Sequence, residues 1–264
     1  MLLSPKASKR PDGDRMRKII WSLALAAVLG GTVPNPGFAG RPLITEDAET
    51  IEKGSTKIEI AFDYAREDNG DKYYVPFLQV AFGLVERLEI AVGMPYIFLD
   101  PQEGGKADGL GDLFAYLKYR VWGEGDLCPA LALKPTLKIP IADENKGLGS
   151  GKTDFGFTAA FSKAFGGLNL NFDATYLAFG EKEVIDQLAL GLSGEFEVAK
   201  GFNLVGEIRC RNNFNSNRKD DPVAFMAGFQ LDAPGAVFDA GVALGLNSAA
   251  PDYFFTVGVT LLFK

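Results

Sequence analysis

A chain of 264 residues with 27 basic and 34 acidic side chains has a net charge of −7, so it offers no basic face to nucleic acid or another polyanion. It contains no histidine, which excludes Ser-His and Cys-His nucleophilic catalysis, His-ligated zinc and imidazole proton shuttling. Cys128 and Cys210 fall on well-separated segments and read as two free thiols, although an oxidising compartment would permit a bridge.

Residues 1–39 read as an export signal, with Met16 as the expected true start. Arg15, Arg17 and Lys18 make a positive region, Ile19 to Leu29 an apolar run, and Gly37-Phe38-Ala39 a site for cleavage after Ala39. The run is too short to span about 30 Å of hydrocarbon, and Pro34 and Pro36 follow it. Its removal takes away six basic and two acidic residues and leaves a net charge of −11. No later segment has the uninterrupted apolar stretch of a membrane helix.

Residues 40–54, GRPLITEDAETIEKG, form a polar leader, read either as a periplasmic tail or as a plug folded into a lumen. As a plug it would bring Arg41, Glu46, Asp47 and Glu49 to partners on a wall. From residue 55 to 264 the pattern alternates. In STKIEIAFDYA, Ile58, Ile60, Phe62 and Tyr64 share one face and Lys57, Glu59, Ala61 and Asp63 the other. The same split recurs in RLEIAVGMPYIF, GDLFAYLKYRV and QLALGLSGEFEV.

Twelve such segments begin near residues 56, 73, 88, 111, 127, 153, 168, 186, 202, 223, 236 and 252. Each is about the 9 to 11 residues that a tilted membrane strand needs. Short connections (GLVER, GEGD, GG, AKG, APG) alternate with long polar ones. That asymmetry predicts an all-β fold: a transmembrane antiparallel up-and-down barrel of outer-membrane type, with short turns and both termini on the periplasmic side. A soluble sandwich also alternates, but here the charged faces are flanked by Gly, Ala and Ser while the opposite faces carry Phe, Leu and Tyr, which suits a polar lumen and a lipid-facing exterior. Tyr74, Phe82, Tyr96, Phe98, Tyr119, Trp122 and Phe202 are placed for interfacial girdles. The last segment ends Leu262-Phe263-Lys264, close to the terminal aromatic read by the barrel-assembly machinery.

GLGSGKTDFG, residues 147–156, imitates a phosphate-binding loop. The first glycine of G-x-x-x-x-G-K-[ST] is replaced by Lys146, and a strand pattern follows where a helix is required. It is read as a long surface loop with Lys152 solvated.

The leader GRPLITEDA, PFLQVAFGLVERLEIAVGMPY, GLGDLFAYLKYR and LKIPIADENKGLGSGKTDFG together resemble the outer-membrane family named for the meta-pathway of phenol degradation. The resemblance implies a barrel associated with uptake of aromatic or other hydrophobic compounds. It carries over no functional residues.

Twelve strands tilted near 40° give a backbone diameter of roughly 24 Å and a free bore of roughly 10 Å, too narrow for a wide aqueous porin. The leading reading is therefore a passive channel for small hydrophobic or aromatic molecules, embedded in outer-membrane lipid, with no cofactor, metal or catalytic residue. Its candidate lining is Phe77, Phe114 and Tyr116, a basic wall of Lys118, Arg120, Lys134 and Lys138 on the fourth and fifth segments, and an acidic wall of Asp173, Glu195, Glu197 and Glu207 on the seventh to ninth. Lys118 and Lys134 should meet at similar depth across two neighbouring strands, which costs stability unless water or an anion lies between them. The alternatives are a plugged structural or adhesion barrel and, less favoured, a lipid-acting enzyme that uses carboxylates such as Glu195 and Glu197.

Overall fold

The computed structural model describes residues 40–66, 72–101, 105–182, 184–212 and 221–264. The export segment expected over residues 1–39 lies outside them. Among the described residues thirteen strands follow the leader: β1 (Thr56–Arg66), β2 (Lys72–Val85), β3 (Leu88–Asp100), β4 (Ala107–Leu110), β5 (Leu113–Trp122), β6 (Ala130–Ile139), β7 (Asp154–Phe165), β8 (Leu168–Ala178), β9 (Gln187–Ala199), β10 (Phe202–Arg211), β11 (Val223–Ala233), β12 (Ala236–Gly245) and β13 (Tyr253–Phe263). Every pairing between them is antiparallel. Both β4 and β5 lie against β3 and share one place, and β13 pairs with β1 from Thr56↔Phe263 to Arg66↔Tyr253, so twelve places close the ring.

The division of residues between the two faces is the reverse of a soluble protein's. Lys57, Glu59, Glu89, Lys118 and Lys134 are at most 2% exposed, whereas Leu78, Val92, Leu192 and Phe238 are 50–51% exposed. Charged side chains are almost never fully buried in a soluble domain unless paired, and no soluble sandwich leaves so much Leu and Phe outside. The alternation therefore puts ionised residues into an enclosed lumen and apolar ones toward hydrocarbon.

Short turns sit at one end of the barrel. Three of them close on a left-handed residue: Gly201 (φ 73°), Gly235 (φ 75°) and Arg87 (φ 66°), the last of which gains no relief from a missing Cβ. In the longer connection after β5, Lys163 donates to Glu124 at 2.7 Å, and this hydrogen bond holds the Glu124 carboxyl below its ordinary range. Cys128 in that connection and Cys210 on β10 are both free. Toward the opposite end β1, β2 and β3 carry tilted aromatic pairs, with the ring centres of Tyr64 and Tyr74 5.0 Å apart and those of Tyr96 and Phe98 4.9 Å apart.

The GLGSGK loop departs from its reading as a solvated surface loop. Lys152 is exposed, but Gly147, Leu148 and Gly149 are buried, and Leu148 packs with Tyr73, Val75 and Ile97 inside the barrel mouth. An apolar side chain at this point has a greasy patch of wall to cover, and Gly147 (φ 72°) and Gly151 (φ 66°) supply the bends that turn the loop inward.

A closed ladder has no edge at which unfolding can begin. Unheated protein should therefore migrate faster on a denaturing gel than boiled protein, and identical mobility would contradict the closed ring.

Candidate functional site

Residues 40–55 run through the lumen. The leader enters at the short-turn end, where the Gly54 amide donates to the Gly83 carbonyl at 2.8 Å and the Gly83 amide to the Ser55 carbonyl at 3.0 Å. Ile51 packs against Ala81, Ala91 and Tyr116, and its amide donates to Glu89 at 2.7 Å. Next along the leader, Glu49 pairs with Arg120 of β5. Asp47 accepts from Lys118 at 2.9 Å. The Ala48 amide donates to Ser162 of β7 at 2.8 Å.

Glu46 lies between two lysines, 2.8 Å from Lys118 and 2.5 Å from Lys134. These are the neighbouring cations of β5 and β6, and the anion between them comes from the leader. The Thr45 amide donates to Glu207 of β10 at 2.7 Å, with the Thr45 hydroxyl adding a bond of 2.8 Å. At the far end Arg41 lies 3.5 Å from both Asp63 of β1 and Asp239 of β12, donates to Thr256 of β13, and accepts from Gln230 of β11 at its carbonyl. The acidic centre of the leader thus faces the basic wall, and its basic end faces an acidic one.

The wall leaves room for this path by omitting side chains. A Cβ on Gly191 would lie 2.5 Å from the Thr45 hydroxyl, one on Gly258 2.6 Å from the Arg41 guanidinium, and one on Gly241 2.9 Å from the Pro42 ring. Contacts that short force a shift, so small residues at these lumen positions are a condition of the leader's course.

Phe77, Phe114, Tyr116, Lys118, Lys134, Lys138, Asp173, Glu195 and Glu207 are all buried on the lumen face, and Arg120 is partly exposed near the short-turn end. Lys138 takes no part in holding the leader. It binds Asp112 at 3.0 Å and Asp154 at 2.7 Å beneath the inward loop. Glu197 is the exception. It has the parity of the lumen face, but β9 has by then reached the rim, so the side chain is exposed and accepts weakly from the Gly201 amide at 3.4 Å.

The acidic wall is also interrupted. Arg209, two residues beyond Glu207 and therefore on the same face, binds Asp173 at 2.9 Å. Arg209, Asp63, Glu59 and Asp239 belong to the lumen charge set and were not among the candidates, although strand parity alone points to them.

Between the leader and the long loops the lining changes character. Phe77 of β2, Gly93 and Pro95 of β3 and Phe114 of β5 lie side by side in register, and a Cβ on Gly93 would come within 2.7 Å of the Phe77 ring. With Val75 and Ile97 they make an apolar strip on the inner wall.

The barrel is similar to the crystal structure of the COG4313 outer membrane channel from Pseudomonas putida F1, with a TM-score of 0.69 and 15% identity over 88% of this chain and 100% of that one. It is also similar to the NanC porin (TM-score 0.55, 12% identity, 78% and 99% covered) and the KdgM porin (0.53, 8%, 78% and 99%). At such identities the likeness is one of fold. A comparison with curated proteins finds no match. A family match covers residues 39 to 263, and on it the chain belongs to the family described as "Putative MetA-pathway of phenol degradation".

Proposed function

We propose that the chain is an outer-membrane channel for passive uptake of small hydrophobic or aromatic molecules, reached after cleavage of the export signal. The apolar strip of Phe77, Pro95, Ile97 and Phe114 carries this reading. An aromatic solute gains contact area on the rings of Phe77 and Phe114. The family's description and the fold shared with channels and porins support the same reading.

The dense bonding of the leader favours one alternative, a sealed barrel with a structural role in the envelope. A lipid-acting enzyme draws no support from Glu195 and Glu197, because one is buried in the lumen and the other exposed at the rim. Uptake of radiolabelled neutral aromatics such as benzyl alcohol should fall in a deletion strain with an intact outer membrane and return on complementation. Equal uptake with and without the gene would sink the channel reading.

A further inference from the structure

We propose that Lys118 and Lys134 form a receptor for the carboxylate of a small aromatic acid, and that Glu46 and Asp47 of the leader occupy it as an internal competitor. The inference rests on the channel reading and narrows its solute class. Among the described residues, every carboxylate within 4.0 Å of these two ammonium groups belongs to the leader: Glu46 for both, Asp47 for Lys118. The other lumen cations differ. Lys138 is neutralised by Asp112 and Asp154 and Arg209 by Asp173, all wall residues. The wall thus provides two neighbouring positive charges, each 2% exposed, whose contacting carboxylates come from the leader, while the wall's own Glu89, opposite Lys118 on β3, accepts from the Ile51 amide and the Tyr116 hydroxyl.

The surroundings fit an acid carrying a ring. The Lys134 ammonium sits 4.3 Å from the centre of the Tyr116 ring, and Phe114 lies two residues along β5 on the same face, continuous with the apolar strip. A ring on Tyr116 and Phe114 directs an attached carboxylate at the lysines. Acetate lacks the ring, and benzyl alcohol lacks the charge.

The energetics make the exchange selective. If the leader withdraws with nothing but water to replace it, two like charges lose their contacting carboxylates, which is unfavourable. A neutral solute does not repair this, but an anion does. An aromatic acid therefore favours the withdrawn leader, and its apparent affinity is lowered by the fraction of molecules in which the leader is bound.

Calorimetry on the refolded mature chain in detergent tests the proposal with benzoate, acetate and benzyl alcohol as probes. The Glu46→Gln/Asp47→Asn variant keeps the side-chain shapes but weakens the competitor, and should bind benzoate at least about tenfold more tightly than the parent. Acetate and benzyl alcohol should show no such gain, and adding Lys134→Met to the variant should abolish it. Equal benzoate affinity in parent and variant, or an equal gain for benzyl alcohol, overturns the proposal. If the double variant lacks the heat-dependent gel shift of a folded barrel, Asp47→Asn alone takes its place, and a benzoate affinity unchanged from the parent's overturns the proposal there too. The binding readout is independent of conduction, so lost uptake of neutral aromatics with unchanged benzoate binding, or the converse, shows which of the two readings has failed.

Discussion

Deleting Arg41 to Lys53 should raise single-channel conductance in planar bilayers severalfold. The leader crosses a bore of only roughly 10 Å, and it is bonded to the wall from Gly83 at the short-turn end to Asp63 and Asp239 above. Once it is absent, water enters and hydrates Lys118, Lys134, Glu207 and Asp239. Two unit charges 4 Å apart repel by about 4 kcal/mol at an effective dielectric of 20 but by only about 1 kcal/mol in water. The emptied barrel should therefore stay folded, less stable than the parent but closed. Unchanged conductance would show that the leader obstructs nothing and that the limiting constriction lies elsewhere, with the inward loop around Leu148 the next element to remove.

Arginine at Val92, Leu117, Leu133 or Leu190 should destabilise the barrel by about 2 to 4 kcal/mol in reversible unfolding from lipid vesicles. Val92, Leu117 and Leu190 are 50%, 48% and 36% exposed, and all three lie within the strands, away from the rims. Leu133 is only partly exposed, so an arginine there has more neighbouring side chain to lie against and belongs at the lower end of the range. The cost comes from placing a guanidinium in hydrocarbon with no partner, the situation that the buried lysines avoid through their carboxylates. Neutral results at all four sites would mean that this face does not meet hydrocarbon.

The barrel was legible because strand parity is a strong, local signal. Starts expected near residues 88, 168, 202, 223 and 236 match strands beginning at Leu88, Leu168, Phe202, Val223 and Ala236. The expected starts fail where tertiary bonds interrupt the ladder. The segment expected to start near 111 is split at Gly111-Asp112, because the Gly111 amide bonds the Pro95 carbonyl and the Asp112 carboxylate is committed to Lys138 and the Ala142 amide. The strand expected from 127 begins at Ala130, after Cys128 and Pro129 are used in a turn.

The lumen site was half legible. Parity places Lys118 and Lys134 inward and side by side, but it cannot say that Glu46, on a segment with no periodicity of its own, meets them both. Leu148 and Glu197 mislead for complementary reasons. One is an apolar residue in a polar loop that finds a patch to cover, and the other has the right parity beyond the end of the enclosure.

Arg41 touches strands from both ends of the chain, with Asp63 on the first and Thr256 on the last, on either side of the line where β1 meets β13. Arg41 and Thr256 are 215 positions apart, and Thr256 and Asp63 193, so neither of these two hydrogen bonds exists until β13 has been laid down. The hold on the outer end of the leader is therefore completed by the same event that closes the barrel. A chain cut short before β13 retains the lysines that hold Glu46 and the carboxylates of Asp63 and Asp239 that face Arg41, and lacks Thr256, through which the last strand ties Arg41 to the first.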